Sequence, residues 1–376
     1  MRVPFVDFKN QNQLIQKEVD RGFKRVFKEG DYVLGKQVEV FENSFAKYCG
    51  AKYGVGVNSG TDALHLALLA VDIQEGDEVI VPTHTFIATA LCVSFCRAKP
   101  VFVDIETDTY NIDPKAFEKA ITKKTKAVIP VHIYGQSANM GEIISIAREH
   151  GIKIVEDAAQ AHGASYKGKR IGSLGDVACF SFYPTKGLGA CGDAGMIVTK
   201  NKNIYKKALM LRDYGRRGRY EHKIKGTNSR MDTLQAVVLN AKLKRLDKWN
   251  QIRVKNAAYY DELLKPLKGI VTPIIKSDRT HVFQTYAVCV RNRKRVIEAL
   301  KTKGIEVQVH YPISLHLQES YAELGYKKGA MPVAEKVANE ILSLPMFPHM
   351  SRKQIEHVVG ALKEILALEE GCKVKN

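Results

Sequence analysis

The hydrophobic and polar positions of this chain follow two alternating periods. From about residue 36, apolar side chains three or four positions apart predict helices, such as the one that carries Phe41 and Phe45. Short continuous apolar runs between them predict buried strands, and this alternation favours a mostly parallel sheet. The predicted strands are 53–57, 78–81, 101–103, 127–131 and 152–155, and the predicted helices are 62–71, 85–95, one that starts at Asp113-Pro114, and 142–150.

The pattern changes after residue 200, where a basic amphipathic helix is predicted over 231–246 with a continuation towards residue 263. A smaller α/β unit follows. We therefore predict a large domain over 1–250, including an N-terminal segment, and a small C-terminal domain over 251–376. The elements predicted in the small domain are strands 282–290 and 306–309 and helices 296–303, 334–342 and 353–366.

The 376 residues suffice for two domains, and the chain carries a net charge of +18 from 58 Lys and Arg against 40 Asp and Glu. The basic residues are dispersed, for example over 202–207 and 242–248. Dispersed charge is typical of solvated helix faces, so we predict no nucleic-acid partner. Part of the excess would attract an anionic substrate such as a nucleotide diphosphate.

Three features favour a cytoplasmic protein without a membrane partner. No apolar stretch approaches the roughly 20 residues of a membrane helix. The N-terminus turns polar by Asp7, unlike a signal peptide. The seven cysteines lack the CxxC spacing of metal sites, so we predict reduced thiols and no metal.

Two charged residues follow predicted strands. Lys186 lies between the aromatic run 178–183 and the glycine-rich stretch 187–195, and Asp157 follows 152–155. A lysine amine forms a Schiff base with the aldehyde of pyridoxal 5′-phosphate (PLP), and a carboxylate keeps the ring nitrogen of PLP protonated. The pair therefore predicts a PLP site. The alternatives are a helix-capping aspartate and a solvent-exposed lysine.

A second group of residues fits the phosphate of such a coenzyme. Gly60 and Thr61 lie between a predicted strand and a predicted helix, where free backbone N–H groups favour an anion. The same turn is also typical of an ordinary helix cap. Ser181 would add a hydroxyl to the phosphate site. Phe86 is a candidate to stack on the ring, or a core phenylalanine.

Several motifs occur in an order that resembles the DegT/DnrJ/StrS family of PLP-dependent nucleotide-sugar aminotransferases. The resemblance runs from about residue 3 to the end of the chain, with Gly187 as a departure from the usual pattern. It implies an α/β fold of PLP-dependent transferase type I, similar to aspartate aminotransferase, and a homodimer with shared active sites. The motifs are 58–63, 83–86, 156–160, 181–186, 192–195 and 226–232.

The resemblance also implies roles for individual residues. Lys186 and Asp157 are the catalytic pair, Gln160 and Phe86 flank the ring, and Asn228 reaches the phosphate from the neighbouring subunit. Gly60, Thr61 and Ser181 hold the phosphate within the same chain. The residues implied near the substrate are Tyr183, Arg230, His310, Tyr311 and His316.

The implied reaction is the transfer of an amino group to a nucleotide-linked keto-sugar from an amino acid, glutamate by family habit. Segment 182–193 is similar to members that act at C3, so a 3-keto sugar is favoured over a 4-keto sugar. A PLP-dependent sugar dehydratase is an alternative, but such members lack the lysine found here as Lys186. A DNA-binding regulator is another alternative, and the sequence shows no helix-turn-helix with a clustered recognition face.

Overall fold

The computed structural model describes residues 1–373, with side chains to residue 367. Among these residues no helix combines the length and the apolar character that a membrane crossing requires. The helices are α1 Phe8–Glu29, α2 Lys36–Cys49, α3 Gly60–Ala70, α4 Ala88–Phe95, α5 Pro114–Lys119, α6 Met140–Glu149, α7 Lys202–Leu211, α8 Thr233–Leu243, α9 Leu246–Leu264, α10 Arg293–Thr302, α11 Pro332–Glu340 and α12 Arg352–Lys373. The strands are β1 Tyr53–Val57, β2 Glu78–Pro82, β3 Lys99–Val103, β4 Thr125–Val128, β5 Lys153–Asp157, β6 Ser165–Tyr166, β7 Lys169–Arg170, β8 Val177–Ser181, β9 Gly195–Thr199, β10 Ile270–Val271, β11 Tyr286–Val290 and β12 Ile341–Leu344.

Seven strands form the large sheet in the order β1-β9-β8-β5-β4-β2-β3. The neighbours from β3 to β8 pair in parallel, whereas β9 runs antiparallel to both β8 and β1. This arrangement confirms the predicted α/β class with a mostly parallel mixed sheet. The carboxyl ends of parallel strands meet at one edge of a sheet, so the loops after β2, β5 and β8 lie near one another.

A smaller antiparallel sheet, β10-β11-β12, lies in the C-terminal part of the chain. Its apolar cluster unites Tyr260, Tyr286 and Phe347 with Val3, which forms a bridge with Ile305. The N-terminal segment thus packs against the C-terminal part. Helix α9 runs without a break through residue 250, and the domain boundary placed there stays a prediction.

Several predicted elements differ from the observed ones. Segment 306–309 is not a strand, because only the isolated bridge from Gln308 to Ser343 pairs it with β12. The helix predicted from residue 231 is two helices, α8 and α9, which Lys244 and Arg245 separate. The chain also leaves helical geometry at Ile341, so the predicted helix 334–342 ends early and β12 follows.

The six cysteines whose side chains are described are free thiols, and five of them are buried. Burial raises the pKa of Cys49, Cys92 and Cys179. The seventh, Cys372, lies outside the described side chains. The cytoplasmic location stays a prediction.

Candidate active site

Asp157 is the last residue of β5 and is only 6% exposed. The hydroxyl of Thr89 donates to its Oδ2 at 2.8 Å, and the backbone N–H of Ala159 donates to Oδ1 at 3.2 Å. Burial raises the pKa of Asp157, although these two bonds and the charge of Lys186 act in the opposite direction. A carboxylate that is fixed in place and poorly solvated is suited to a cationic partner such as a protonated pyridine nitrogen.

Lys186 follows β8 in a turn that its own backbone N–H closes onto the carbonyl of Tyr183 at 2.8 Å. The amide of Gln284 donates to the carbonyl of Thr185 at 2.8 Å and so supports the turn. Burial lowers the pKa of Lys186, and the charge of Asp157 opposes this shift. Within the described residues no hydrogen bond or ion pair engages the amine of Lys186. Its amine is therefore available as a nucleophile and as a base.

The turn between β1 and α3 lies directly against the end of β8. Ser59 caps α3 by accepting from the backbone N–H of Asp62 at 3.1 Å. A side chain on Gly60 would bring its Cβ to within 2.5 Å of the Cβ of Ser181, so only glycine fits there. Ser181 accepts from the N–H of Tyr183 at 3.3 Å and keeps its own proton to donate. This helix N-terminus with an adjacent hydroxyl fits a phosphate group.

The residues predicted to flank the ring form a contiguous set beside Asp157. Gln160 donates from Nε2 to the hydroxyl of Tyr311 at 3.1 Å. The ring of Tyr311 lies 5.8 Å from that of Phe86, which is 54% exposed. Burial and the charge of Asp157 raise the pKa of Tyr311. Tyr311, which the sequence placed near the substrate, is therefore next to the coenzyme residues.

The two predicted histidines have different surroundings. Burial and the charge of Lys186 lower the pKa of His310 to about 4, so this side chain is neutral and close to the lysine. His316 is 2% exposed, and its ring nitrogens bond Thr83 at 2.7 Å and Glu335 at 3.1 Å. The structure thus brings His310 to the site, whereas the polar atoms of His316 are engaged elsewhere.

Asn228 and Arg230 lie in the loop before α8, where the guanidinium of Arg230 donates to Asn228 at 2.9 Å and pairs with Asp213 at 3.4 Å. Among the described contacts, none joins Asn228 or Arg230 to Lys186 or Asp157. Tyr183 is half-exposed beside Lys186. Within the described contacts, Asn228 and Arg230 are therefore not bonded to the catalytic pair of their own chain.

Sequence reasoning missed three residues of this site. Of these three, only Thr89 has a signal in the sequence that could have identified it. Thr89 follows Thr85 by four positions and so lies on the same face of a predicted helix. Its hydroxyl lies 3.1 Å from that of Thr85 and bonds Asp157. His84 lies in the motif 83–86 but had no predicted role, and Tyr134 has no comparable signal, because their partners are distant in the chain.

The geometry agrees with the comparisons with known proteins. The model of the DegT/DnrJ/EryC1/StrS aminotransferase family matches residues 13–363. The chain is 46% identical over 363 residues to the dTDP-3-amino-3,4,6-trideoxy-alpha-D-glucose transaminase of Streptomyces venezuelae, covering 96% of each chain. It is 46% identical over 360 residues to the dTDP-3-amino-3,6-dideoxy-alpha-D-galactopyranose transaminase of Aneurinibacillus thermoaerophilus, covering 96% of this chain and 98% of that relative.

A solved structure of S. venezuelae DesV in complex with a ketimine intermediate is similar throughout. Its TM-score is 0.94 at 46% identity, and the match covers 96% of this chain and 98% of that chain. The cradle at Gly60 and Ser181, the buried Asp157 and the free amine of Lys186 fit PLP. The chain therefore belongs to the DegT/DnrJ/EryC1/StrS aminotransferase family and is a PLP-dependent sugar aminotransferase.

Proposed function

We propose that the protein transfers the amino group of glutamate to the C3 ketone of a nucleotide-linked sugar. The observation that carries the proposed transamination is that the buried Asp157 ends β5 and Lys186 follows the adjacent parallel strand β8, so that both lie at one edge of the sheet, where the charge of each shifts the pKa of the other. When bound, PLP supplies an aldehyde and a ring that accepts electrons. The C3 position is supported by the two relatives named for 3-amino sugars and by the similarity of segment 182–193.

Each residue of the site has its own role in the proposed reaction. Lys186 would hold the coenzyme through its amine and, when that amine is free, would move a proton between the donor Cα and the coenzyme C4′, which its lowered pKa favours. Asp157 holds the ring nitrogen in its protonated form, and Thr89 keeps the carboxylate in position. With the donated amino group held on the coenzyme, Lys186 would make the same proton transfers in reverse order as that group passes to the sugar ketone, whose oxygen would leave as water.

We further propose a homodimer in which each subunit completes the site of the other. Phe86, next to Tyr311, and Tyr183, next to Lys186, each have about half of their surface exposed. Large apolar side chains are also exposed elsewhere on the large domain, including Phe27, Tyr32 and Tyr214. Exposed apolar surface of this kind is typical of an interface. In such a dimer, Asn228 of one subunit would reach the phosphate in the other.

The position of amination is best tested in the reverse direction, because amino sugars are more stable than keto-sugars. Purified protein is incubated with 2-oxoglutarate and with dTDP-, UDP- or GDP-linked 3-amino or 4-amino sugars, and glutamate and keto-sugar are measured by mass spectrometry. We expect glutamate only with a 3-amino sugar, and none with a Lys186→Ala control. Turnover of 4-amino sugars alone would contradict the proposal for C3. A parallel incubation with pyruvate in place of 2-oxoglutarate tests the amino donor, and turnover with pyruvate alone would contradict glutamate.

A further inference from the structure

Tyr134 has an unusual backbone conformation close to the active site. It lies in the turn Ile133–Gly135 with φ +57° and ψ −2°, and its side chain is buried. A bulky residue rarely occupies this left-handed region, and it does so where surrounding contacts hold it. The contacts of Tyr134 are with segments that surround Lys186.

The backbone of Tyr134 fixes the orientation of the Gln160 amide. Its N–H group lies 2.6 Å from the Gln160 side chain. Because a backbone N–H can only donate, the facing amide atom must be the oxygen Oε1. The nitrogen Nε2 is therefore directed to the hydroxyl of Tyr311. Since Tyr311 accepts this bond, the phenolic proton of Tyr311 remains free to be donated within the site.

The side chain of Tyr134 fixes a second set of groups. Its hydroxyl donates to the backbone carbonyl of His310, which can only accept. The one proton of the hydroxyl is thereby used, so Nε2 of His84, at 2.7 Å, must be the donor of the next bond. Burial lowers the pKa of His84 to about 4, and His84 is thus a neutral ring protonated at Nε2.

We propose that Tyr134 is a positioning residue whose hydroxyl holds segment 310–311, and with it Tyr311, in the orientation used for transamination. It joins three segments that meet at the site, namely the loop after β2, the turn after β5 and segment 310–311. The charged or titratable groups that face Tyr311 from these segments are Asp157, His84, His310 and Tyr134 itself, and the charge of Lys186 acts on His310. The inference rests on the proposed function, because Gln160 and Tyr311 matter to the reaction only beside the coenzyme.

The test uses the holoenzyme of a Tyr134→Phe variant, which keeps the ring and the backbone N–H but loses both hydroxyl bonds. We expect kcat to fall about 10-fold to 100-fold, since small displacements of reacting groups have effects of this size. We also expect a shift in the pH midpoint of the absorbance band of Lys186-bound coenzyme. A purely structural role would lower Tm and leave that midpoint unchanged.

Tyr110→Phe is the matched control. Tyr110 is also buried, has a φ of +59° and lies 6.2 Å from the ring of Tyr134. Among the residues whose side chains are described, its hydroxyl bonds only Cys289, at 3.4 Å and away from the coenzyme residues. We expect this variant to keep the wild-type kcat and midpoint. An equal loss in both variants would overturn the inference.

A double-mutant cycle shows whether Tyr134 acts through Tyr311. If it does, adding Tyr134→Phe to a Tyr311→Phe enzyme lowers kcat by less than about twofold further, because coupled residues are not additive. Fully multiplicative losses would overturn the inference. If Tyr134→Phe does not fold, His84→Phe removes the neighbouring bond and is expected to move the midpoint in the same direction; an unchanged midpoint and kcat would overturn the inference.

The two proposals fail in distinguishable ways. A wild-type protein without a coenzyme band on Lys186 would contradict the proposed function. If the wild type shows a normal band and Tyr134→Phe has the same kcat and the same pH midpoint as the wild type, only the role of Tyr134 is contradicted.

Discussion

At the scale of single residues, the surroundings of Asp157 distinguish a chemical role for this carboxylate from the structural role of a helix cap. A helix-capping aspartate is normally partly solvated and bonds mainly to backbone N–H groups. Asp157 is buried instead, and a threonine hydroxyl from α4 orients it from outside its own loop. A buried carboxylate without a full cationic partner destabilises the fold. The burial of Asp157 therefore has a cost in stability, which the proposed pairing with a protonated ring would offset.

This cost predicts how Asp157→Asn changes the coenzyme-free protein. The folded state raises the pKa of Asp157, so it favours the protonated form. The free-energy penalty of burying the charged carboxylate is absent below the pKa that Asp157 has in the unfolded chain. It grows as the pH rises through the pKa that Asp157 has in the folded protein. The variant should thus be more stable than wild type at pH 7 by about 1–3 kcal/mol, with a smaller difference near pH 4.

Urea unfolding between pH 4 and pH 8 measures this difference. Asp113→Asn is the control, because Asp113 caps α5 away from the site and asparagine caps helices about as well. A destabilised Asp157→Asn protein at pH 7, or a gain that is independent of pH, would contradict the account. The holoenzyme of the same variant should lose most of its turnover.

At the scale of elements, the site exists because parallel strands end at one edge of the sheet. Asp157 ends β5, Lys186 follows the adjacent β8, and the antiparallel β9 begins at Gly195 beside the cap of α3. A Cβ on Gly195 would lie 2.2 Å from the carbonyl of Ser59. The proposed phosphate cradle, formed by Gly60 and Ser181, thus depends on the close approach of α3 to the ends of β8 and β9.

Gly60→Ala should disturb this approach. The added Cβ would lie 2.5 Å from Ser181, so α3 or β8 must shift, and overpacking of this kind costs about 1–3 kcal/mol. We expect at least about tenfold weaker binding of PLP, measured by absorbance titration of the coenzyme-free protein. Gly360→Ala, in α12 with open space around it, is the control and should bind PLP normally. Wild-type affinity in Gly60→Ala would be evidence against the cradle.

Elements whose partners are close in sequence could be predicted, and others could not. Strand 53–57 was predicted with its observed bounds, because its apolar run and its flanking turns are local signals. Segment 306–309 has the same local signal but meets only Ser343 across the sheet. Helix α1 was missed because its buried face is narrow, with Gln11, Ile15 and Val26 as its buried residues. Strand formation depends on pairing that a local pattern does not contain.

At the scale of the whole molecule, the predicted family, fold type and coenzyme are confirmed. The residues that the sequence could assign stand in motifs, as Lys186, Asp157 and Gly60 do. The residues that it could not assign act through long-range contacts. Tyr134 reaches His310 across 176 positions, and Thr89 bonds Asp157 across 68. A motif identifies chemistry, whereas only the folded chain shows which neighbours orient it.

Lys186 is proposed to carry the coenzyme opposite Asp157. The most direct test is sodium borohydride reduction of the holoenzyme, followed by peptide mass spectrometry. We expect one coenzyme adduct, on the peptide that contains Lys186. Lys242 is the informative competitor, because it is also buried and its pKa is lowered to about 8. An adduct on Lys242, or no adduct on any lysine, would contradict the account.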